Sequence, residues 1–175
     1  FEGNIYAVDG SNGIIFDLPS VSFNLIRAGY VSYIAKNWQK TILFDKVFKA
    51  DPDNYRYQFE ADLSKSFNIN SNFVLAKTEL DRLSTYYREL QEYIALYEAI
   101  SDAKKGDLVL YDGDFAYWMD PFGEVLKMIF DEAEDKDLDL LAISKSSTFS
   151  WGKSFSKPFI LHTGYDRHAR FHFNP

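Results

Sequence analysis

Two short apolar runs in this chain end in the same dipeptide. Residues 5–8 are followed by Asp9-Gly10, and residues 108–111 are followed by Asp112-Gly113. A run of four apolar residues closed by turn residues is typical of a strand in a covered sheet. We therefore expect each aspartate where a strand leaves the sheet, at the edge where α/β folds place their sites. If the two strands are neighbours, the two carboxylates meet there.

The pattern between these two runs changes from strand-like to helical. Residues 21–35 are rich in β-branched and aromatic residues, which predicts one or two strands, bent or broken at Gly29. Residues 41–48 predict a further strand, and residues 51–54 a turn. From residue 77 to 103, apolar residues recur at spacings of three and four, which predicts a long helix with one apolar face.

The rest of the chain alternates between predicted strands and helices. Thr78 is placed to cap the start of the long helix. The pair Asp120-Pro121 predicts the start of a second helix, because proline is tolerated at the first helical position. Residues 138–143 predict a third buried strand. Residues 158–173 predict two strands joined by a turn around residues 163–166.

The order of these elements favours one fold class. Several consecutive strands come first and are followed by helix, strand, helix and strand, which indicates a mixed sheet with helices packed on it. This is the layout of an RNase H-like fold in the α/β class. A doubly wound parallel sheet would not begin with so many consecutive strands.

Length and composition predict a single domain over residues 1–175, with 46% hydrophobic and 18% aromatic residues. The chain has no cysteine, which excludes disulfides, thiolate metal sites and cysteine nucleophiles. There is no signal-peptide pattern, and no apolar stretch approaches the roughly 20 residues of a membrane span. We therefore expect a cytoplasmic protein without a membrane partner. Because the chain runs from Phe1 to Pro175, we expect a piece of a longer polypeptide.

Charge and missing motifs narrow the function classes. The net charge of −7 argues against a protein that coats nucleic acid with a basic surface. It is compatible with a nuclease, because acidic residues at a metal site can outweigh basic patches elsewhere. The chain has neither a glycine-rich phosphate loop nor a Gly-x-Ser-x-Gly elbow. Hydride transfer and serine hydrolysis are therefore disfavoured.

Asp9 and Asp112 are the leading pair of candidate site residues. Two carboxylates at about 4 Å and an effective dielectric near 20 repel by roughly 4 kcal/mol, and a divalent cation between them turns this repulsion into a binding site. A third acid on the long helix would complete an oxygen-rich site suited to Mg²⁺ or Mn²⁺. The candidates are Glu89, Glu92 and Glu98, and the helical wheel favours Glu98. The alternative is that each Asp-Gly is ordinary turn chemistry.

Basic residues near the end of the chain offer weaker candidates. Lys145 follows the third buried strand at the same predicted edge, where it could steady a phosphate or a developing negative charge, or be a surface lysine. His168, Arg170 and His172 alternate, so they share one face of a predicted strand. We interpret that face as the solvent-exposed side of an edge strand. These residues and His162 lack a metal-ligand spacing.

Four segments, in this order, resemble the NurA nucleases. They are residues 7–11, the helical segment 89–96, the strand and turn at 106–113, and residues 142–146. NurA nucleases are manganese-dependent DNA nucleases with an RNase H-like fold, which work as dimers alongside the hexameric HerA ATPase. The resemblance implies an exonuclease or endonuclease that acts in DNA end processing and repair. It implies Mn²⁺ (with Mg²⁺ as the alternative) as cofactor, and DNA, a HerA-like ATPase and a second copy as partners.

The resemblance also assigns roles by position. Asp9 and Asp112 match the two metal-binding aspartates of the family, and Lys145 matches the lysine after its later strand. The family's helix glutamate falls on Glu92, although the helical wheel favours Glu98. We follow the motif, because a long helix that crosses a sheet can present different sides along its length. The implied catalytic set is Asp9, Glu92, Asp112 and Lys145, with the three acids as metal ligands.

The chain departs from the family pattern at two points. Asp114 stands where the family usually has serine. The tyrosine and histidine that complete the family's site are expected beyond Pro175. Two other functions stay open. One is a non-catalytic scaffold that keeps the fold and recruits an ATPase or DNA. The other is an actin-like ATP-binding domain, which also uses paired strand-Asp-Gly turns but normally needs two subdomains.

Overall fold

A computed structural model describes residues 3–71, 74–75, 77–116 and 120–144, and the backbone of residues 150–151, 154–155, 160–164 and 168–172. The helical elements are α1 (Arg56–Phe67), a 3₁₀ turn (Lys77–Arg82), α2 (Leu83–Asp102) and α3 (Asp120–Asp135). The strands are β1 (Ile5–Leu18), β2 (Val21–Ile34), β3 (Asn37–Ala50), β4 (Leu108–Tyr111), β5 (Asp139–Ile143), β6 (Ser150–Trp151), β7 (Ser154–Phe155), β8 (Ile160–Gly164) and β9 (His168–His172).

The strands form one mixed sheet in the order β3-β2-β1-β4-β5-β8-β9, and β6 and β7 pair separately. β1, β2 and β3 form an antiparallel meander, whereas β4 pairs parallel with β1 and β5 pairs parallel with β4. β8 and β9 continue the sheet in antiparallel pairs, with β9 at its edge. This mixed sheet with helices packed on it confirms the predicted α/β fold class and its RNase H-like layout.

The two faces of the meander differ because side chains alternate along a strand. One face, here called the covered face, is packed by α1 and α2 and includes Val8, Ile26, Ala28, Tyr30 and Phe48. The other, here called the open face, includes Ala7, Asp9, Leu25, Arg27, Leu43 and Val47. Leu25, Leu43 and Val47 on this face are exposed.

Aromatic rings hold the helices onto the covered face. The rings of Phe48 on β3 and Tyr87 on α2 stack with their centroids 4.2 Å apart. Phe59 of α1 packs edge-on against both rings. Full burial of one such side chain contributes roughly 1.5–3 kcal/mol to stability. Three buried residues spaced by four, Phe59, Leu63 and Phe67, therefore hold α1, a helix that the sequence pattern did not predict.

Two strands differ from their predicted extents. β2 runs unbroken through Gly29, where a Cβ would lie 2.2 Å from the Ile42 carbonyl oxygen. Glycine there permits the close approach of β3 rather than a bend. β1 continues past Asp9 to Leu18, because β2 stays paired with it to that point. β4 pairs with β1 only up to Val8, so Asp9 marks the end of that pairing and not the end of the strand.

The helix boundaries are partly as predicted. The segment from residue 77 begins as a 3₁₀ turn, and α2 starts at Leu83 without a side-chain cap, so the prediction that Thr78 caps this helix is wrong. α3 begins at Asp120, and the predicted strand at residues 138–143 is β5. None of the described helices combines the length and apolar character needed to cross a membrane.

Candidate functional site

An open cleft of about 540 Å³ lies on the open face, where β4 and β5 end. Asp9 and Asp112 both line it, so the sheet brings the two predicted aspartates into one cleft. Half of the other lining residues are aliphatic; they are Ala7, Val8, Val31, Leu43, Leu110 and Ile143. The pairing of β1 with β4 in parallel explains this placement, because residues that follow paired positions meet at one edge.

Backbone hydrogen bonds tie the strand ends together around the cleft. The amide of Asp112 donates to the Val8 carbonyl at 3.0 Å, and the amide of Gly113 donates to the Ile143 carbonyl at 3.2 Å. The exposed Asp9 carboxylate accepts the amide of Gly10 at 2.7 Å through Oδ1. The two aspartates are therefore attached to a rigid frame of three strands.

Glu92 approaches the same point from the covered face. It lies on α2 with only 2% of its surface exposed. A Cβ at Gly10 would lie 2.5 Å from both Cγ and Oε1 of Glu92, so the glycine leaves the space that the glutamate occupies. The Tyr111 hydroxyl donates to Oε2 at 3.1 Å, and Nη1 of Arg88 lies 3.1 Å from Oε1.

The electrostatics of Glu92 connect it to both aspartates. Burial raises the pKa of its carboxyl to about 7, while Arg88 and the hydrogen bond from Tyr111 act in the opposite direction. The negative charges of Asp9 and Asp112 raise the pKa further. Glu92 is therefore within electrostatic range of both predicted aspartates.

The chemistry of the acidic residues suits a divalent cation, but their present positions do not yet enclose one. Oε1 of Glu92 and Nε of Arg88 are buried without a hydrogen-bond partner in the described structure. Oε1 makes no hydrogen bond, but it lies 3.1 Å from Nη1 of Arg88, so a cation there would take the place of this ion pair. Carboxylate oxygens are the ligands that a hard cation prefers. Among the described residues, however, no three acidic or histidine side chains already form a closed ligand cluster. A local side-chain movement would be needed to complete one.

The other acidic candidates differ in their surroundings. Burial raises the pKa of Glu89 to about 7, and its Oε1 accepts the Tyr93 hydroxyl at 2.8 Å. Asp114 is exposed and accepts the Ala116 amide at 3.1 Å, a local turn contact. Glu98 is exposed and lies almost two helical turns beyond Glu92 on α2.

The helical wheel misjudged Glu92. It placed this residue away from the apolar stripe, yet Glu92 is buried. The reason is that α2 is enclosed on several sides, by β1 and β2, by the end of β4 and by α3. Tyr93 illustrates this, because its ring packs against Tyr111 of β4 and Phe122 of α3.

Some predicted residues lie outside the described part of the chain, and some described ones were missed. Lys145 falls outside it, as do the side chains of the three histidines. Arg88 and Tyr111 contact Glu92 but were not candidates. The spacing of four between Arg88 and Glu92 was a usable signal for an ion pair on one helix face. Arg27, which also lines the cleft, gave no signal in the sequence.

Comparison with known proteins gives a family and two solved structures. The sequence model of the NurA domain matches residues 3–159. The crystal structure of the NurA nuclease from Sulfolobus solfataricus is 14% identical, with a TM-score of 0.49 over 85% of this chain. Endonuclease V from Bacillus subtilis is 11% identical, with a TM-score of 0.40 over 95%. The chain covers only 49% and 57% of these two structures. Among curated proteins, none matches.

Proposed function

The chain belongs to the NurA domain family, and from this premise we propose that it is the catalytic domain of a metal-dependent DNA nuclease. One observation carries the proposal: two aspartates that directly follow the last paired positions of β1 and β4 share an open cleft, and a buried glutamate reaches β1 through the gap at Gly10. Hard carboxylate oxygens at the edge of a sheet are suited to Mn²⁺ or Mg²⁺.

Each acid has a distinct part in this proposal. Asp9 and Asp112 would bind the cation from the cleft side, and Glu92 would bind it through Oε1, which makes no hydrogen bond and would exchange its ion pair with Arg88 for the metal. Divalent ions in such sites activate a water molecule and neutralise the charge on the leaving oxygen of a phosphodiester. Tyr111 and Arg88 hold the Glu92 carboxylate in a defined orientation.

The shape of the cleft supports a polymeric substrate. Its lining extends from the two aspartates across β2 to β3 and includes Arg27 and Thr41 of these exposed strands. An ATP site would need backbone amides from a glycine-rich loop around the phosphates. We therefore favour a nucleic-acid backbone over a free nucleotide as the group that enters.

The wider context is carried over from the family resemblance. We propose that the protein acts in DNA end processing and repair in the cytoplasm, as a homodimer and with a HerA-like hexameric ATPase. Lys145 would steady the phosphate that is cleaved. Manganese is the proposed cofactor and magnesium the alternative.

The test is cleavage of labelled single- and double-stranded DNA by the full-length natural protein in Mn²⁺. We expect D112N to lose activity roughly a thousandfold, because metal-assisted charge stabilisation is worth several kcal/mol. The matched control is D131N, on α3, where the exposed Asp131 pairs with Lys127. D131N should cleave like the wild type, and thermal melting should show that both variants fold.

Three other results would redirect the proposal. Equal cleavage by D112N and the wild type would remove Asp112 from the site. A folded wild type that binds DNA without cutting it in Mn²⁺ or Mg²⁺ would favour the scaffold. Saturable ATP binding without cleavage would favour the actin-like reading.

A further inference from the structure

Arg27 is the one basic side chain among the described residues that line the cleft. It lies on β2 directly opposite Ser11, and Gly29, two positions further along, lies opposite Asp9. Arg27 and Asp9 therefore project from neighbouring strands on the same open face. A phosphodiester bound at the two aspartates would therefore share its cleft with this guanidinium.

The guanidinium is already arranged for a two-oxygen partner. Its Nε donates to Oδ1 of Asp45 at 2.7 Å, and its Nη2 donates to Oδ2 at 2.8 Å. Asp45 is the residue directly opposite Arg27 on β3. The side chains are 50% and 46% exposed. Such exposed ion pairs contribute little net stability, because water screens them, so this one can be exchanged at small cost.

We propose that Arg27 is a phosphate-binding residue for the DNA backbone, and that Asp45 is its exchangeable partner when no DNA is bound. The planar fork that fits a carboxylate also fits two oxygens of a phosphate. Asp45, on β3, holds the fork on the open face and competes with the phosphate for it. The inference rests on the proposed function, since DNA is taken as the ligand.

The competition predicts opposite effects for the two partners. R27A should weaken DNA binding about tenfold, because it removes hydrogen bonds to a charged group. It should also lower the slope of log affinity against log salt by about one. D45N should tighten binding several-fold, because it frees the guanidinium. In R27A/D45N this gain should disappear.

The experiment measures fluorescence anisotropy of a labelled oligonucleotide with the full-length protein in EDTA at several salt concentrations. Without a divalent ion no cleavage occurs, and the result does not depend on the metal site. K127A and D131N are matched controls, because their ion pair on α3 is also exposed. R27K keeps the charge but loses the fork, so its affinity should lie between those of wild type and R27A. Thermal melts check folding.

The outcomes distinguish the exchange of Asp45 for phosphate from a general charge effect, and both from a failure of the proposed function. If D45N tightens binding equally with and without Arg27, the effect is general charge repulsion, and the exchange is overturned. If R27A binds like the wild type, Arg27 is not a phosphate contact, while loss of cleavage in D112N would still support the nuclease. If the wild type binds no DNA under any of these conditions, the phosphate contact is overturned together with the substrate of the proposed function.

Discussion

The two faces of the meander share the same strands and have opposite surroundings. On the covered face, Ile26 and Phe48 are fully buried. On the open face, Leu43 is 55% exposed and Val47 is 56% exposed. Both faces carry large apolar residues, so the presence of such residues alone does not separate them. The difference lies in the helices, because the rings of α1 and α2 pack on one face only.

The candidate site lies where these two faces meet. Asp9 projects into the cleft of the open face, and Glu92 comes from the helix on the covered face. Gly10 lies between them and has no side chain to separate them. The covered face therefore supplies stability and one carboxylate, and the open face supplies access for a substrate.

The largest expected contrast is in stability. F48A should lower the free energy of unfolding by about 3–5 kcal/mol, because it leaves a cavity under the rings of α1 and α2. L43A on the open face should change it by less than about 0.5 kcal/mol. Urea titrations of both variants measure the difference. Equal destabilisation by L43A would mean that the open face is buried in the protein as it exists in solution.

The next effect is a pH dependence that arises on the covered side. The pKa of Glu92 is raised to about 7 in the folded protein, so folding favours its protonated form. This stability is fully present below the ordinary pKa of glutamate and is lost as the pH rises through about 7. The loss should amount to about 2–3 kcal/mol in EDTA. Unfolding free energies at pH 5 to 8.5 measure it.

Two variants test whether Glu92 causes this pH dependence of stability. E92Q should be less sensitive to pH than the wild type, although some dependence should remain because burial also raises the pKa of Glu89. E98Q, on an exposed position of the same helix, should keep the wild-type profile. A wild-type profile in E92Q would show that Glu92 is ionised throughout this range.

The smallest effect concerns the glycine between the two faces. G10A should destabilise the fold by about 1 kcal/mol, because its methyl group would overlap Glu92. G13A is the matched control on the same strand, since no atom lies within 4 Å of a Cβ there. If Glu92 causes the cost, G10A should be nearly neutral in an E92A background. A cost that persists in E92A would point to the strand backbone instead.

Short sequence patterns correctly predicted those strands and helix starts that depend on neighbouring residues. The apolar runs before Asp9 and Asp112 predicted β4 and the first part of β1, and the proline after Asp120 predicted the start of α3. These predictions were confirmed because residue period and stop signals act over a few neighbouring residues. The order of the elements was then enough for the fold class.

Features that depend on distant partners were missed or misjudged. α1 is held by rings of β3 and α2. The continuation of β1 depends on its pairing with β2, and the burial of Glu92 depends on elements that enclose α2. The Arg27–Asp45 pair requires the register of β2 and β3. None of these partners is adjacent in sequence to the residue it affects.

The sequence by itself determined which acids follow apolar strands, and hence the two aspartates most suited to a site. Only the tertiary structure decided that Asp9 and Asp112 line one cleft, because parallel pairing of β1 and β4 joins segments about a hundred residues apart. The tertiary structure likewise decided that Glu92, rather than Glu98, is the buried glutamate nearest to them. A wheel describes one helix alone, whereas burial depends on everything packed around it.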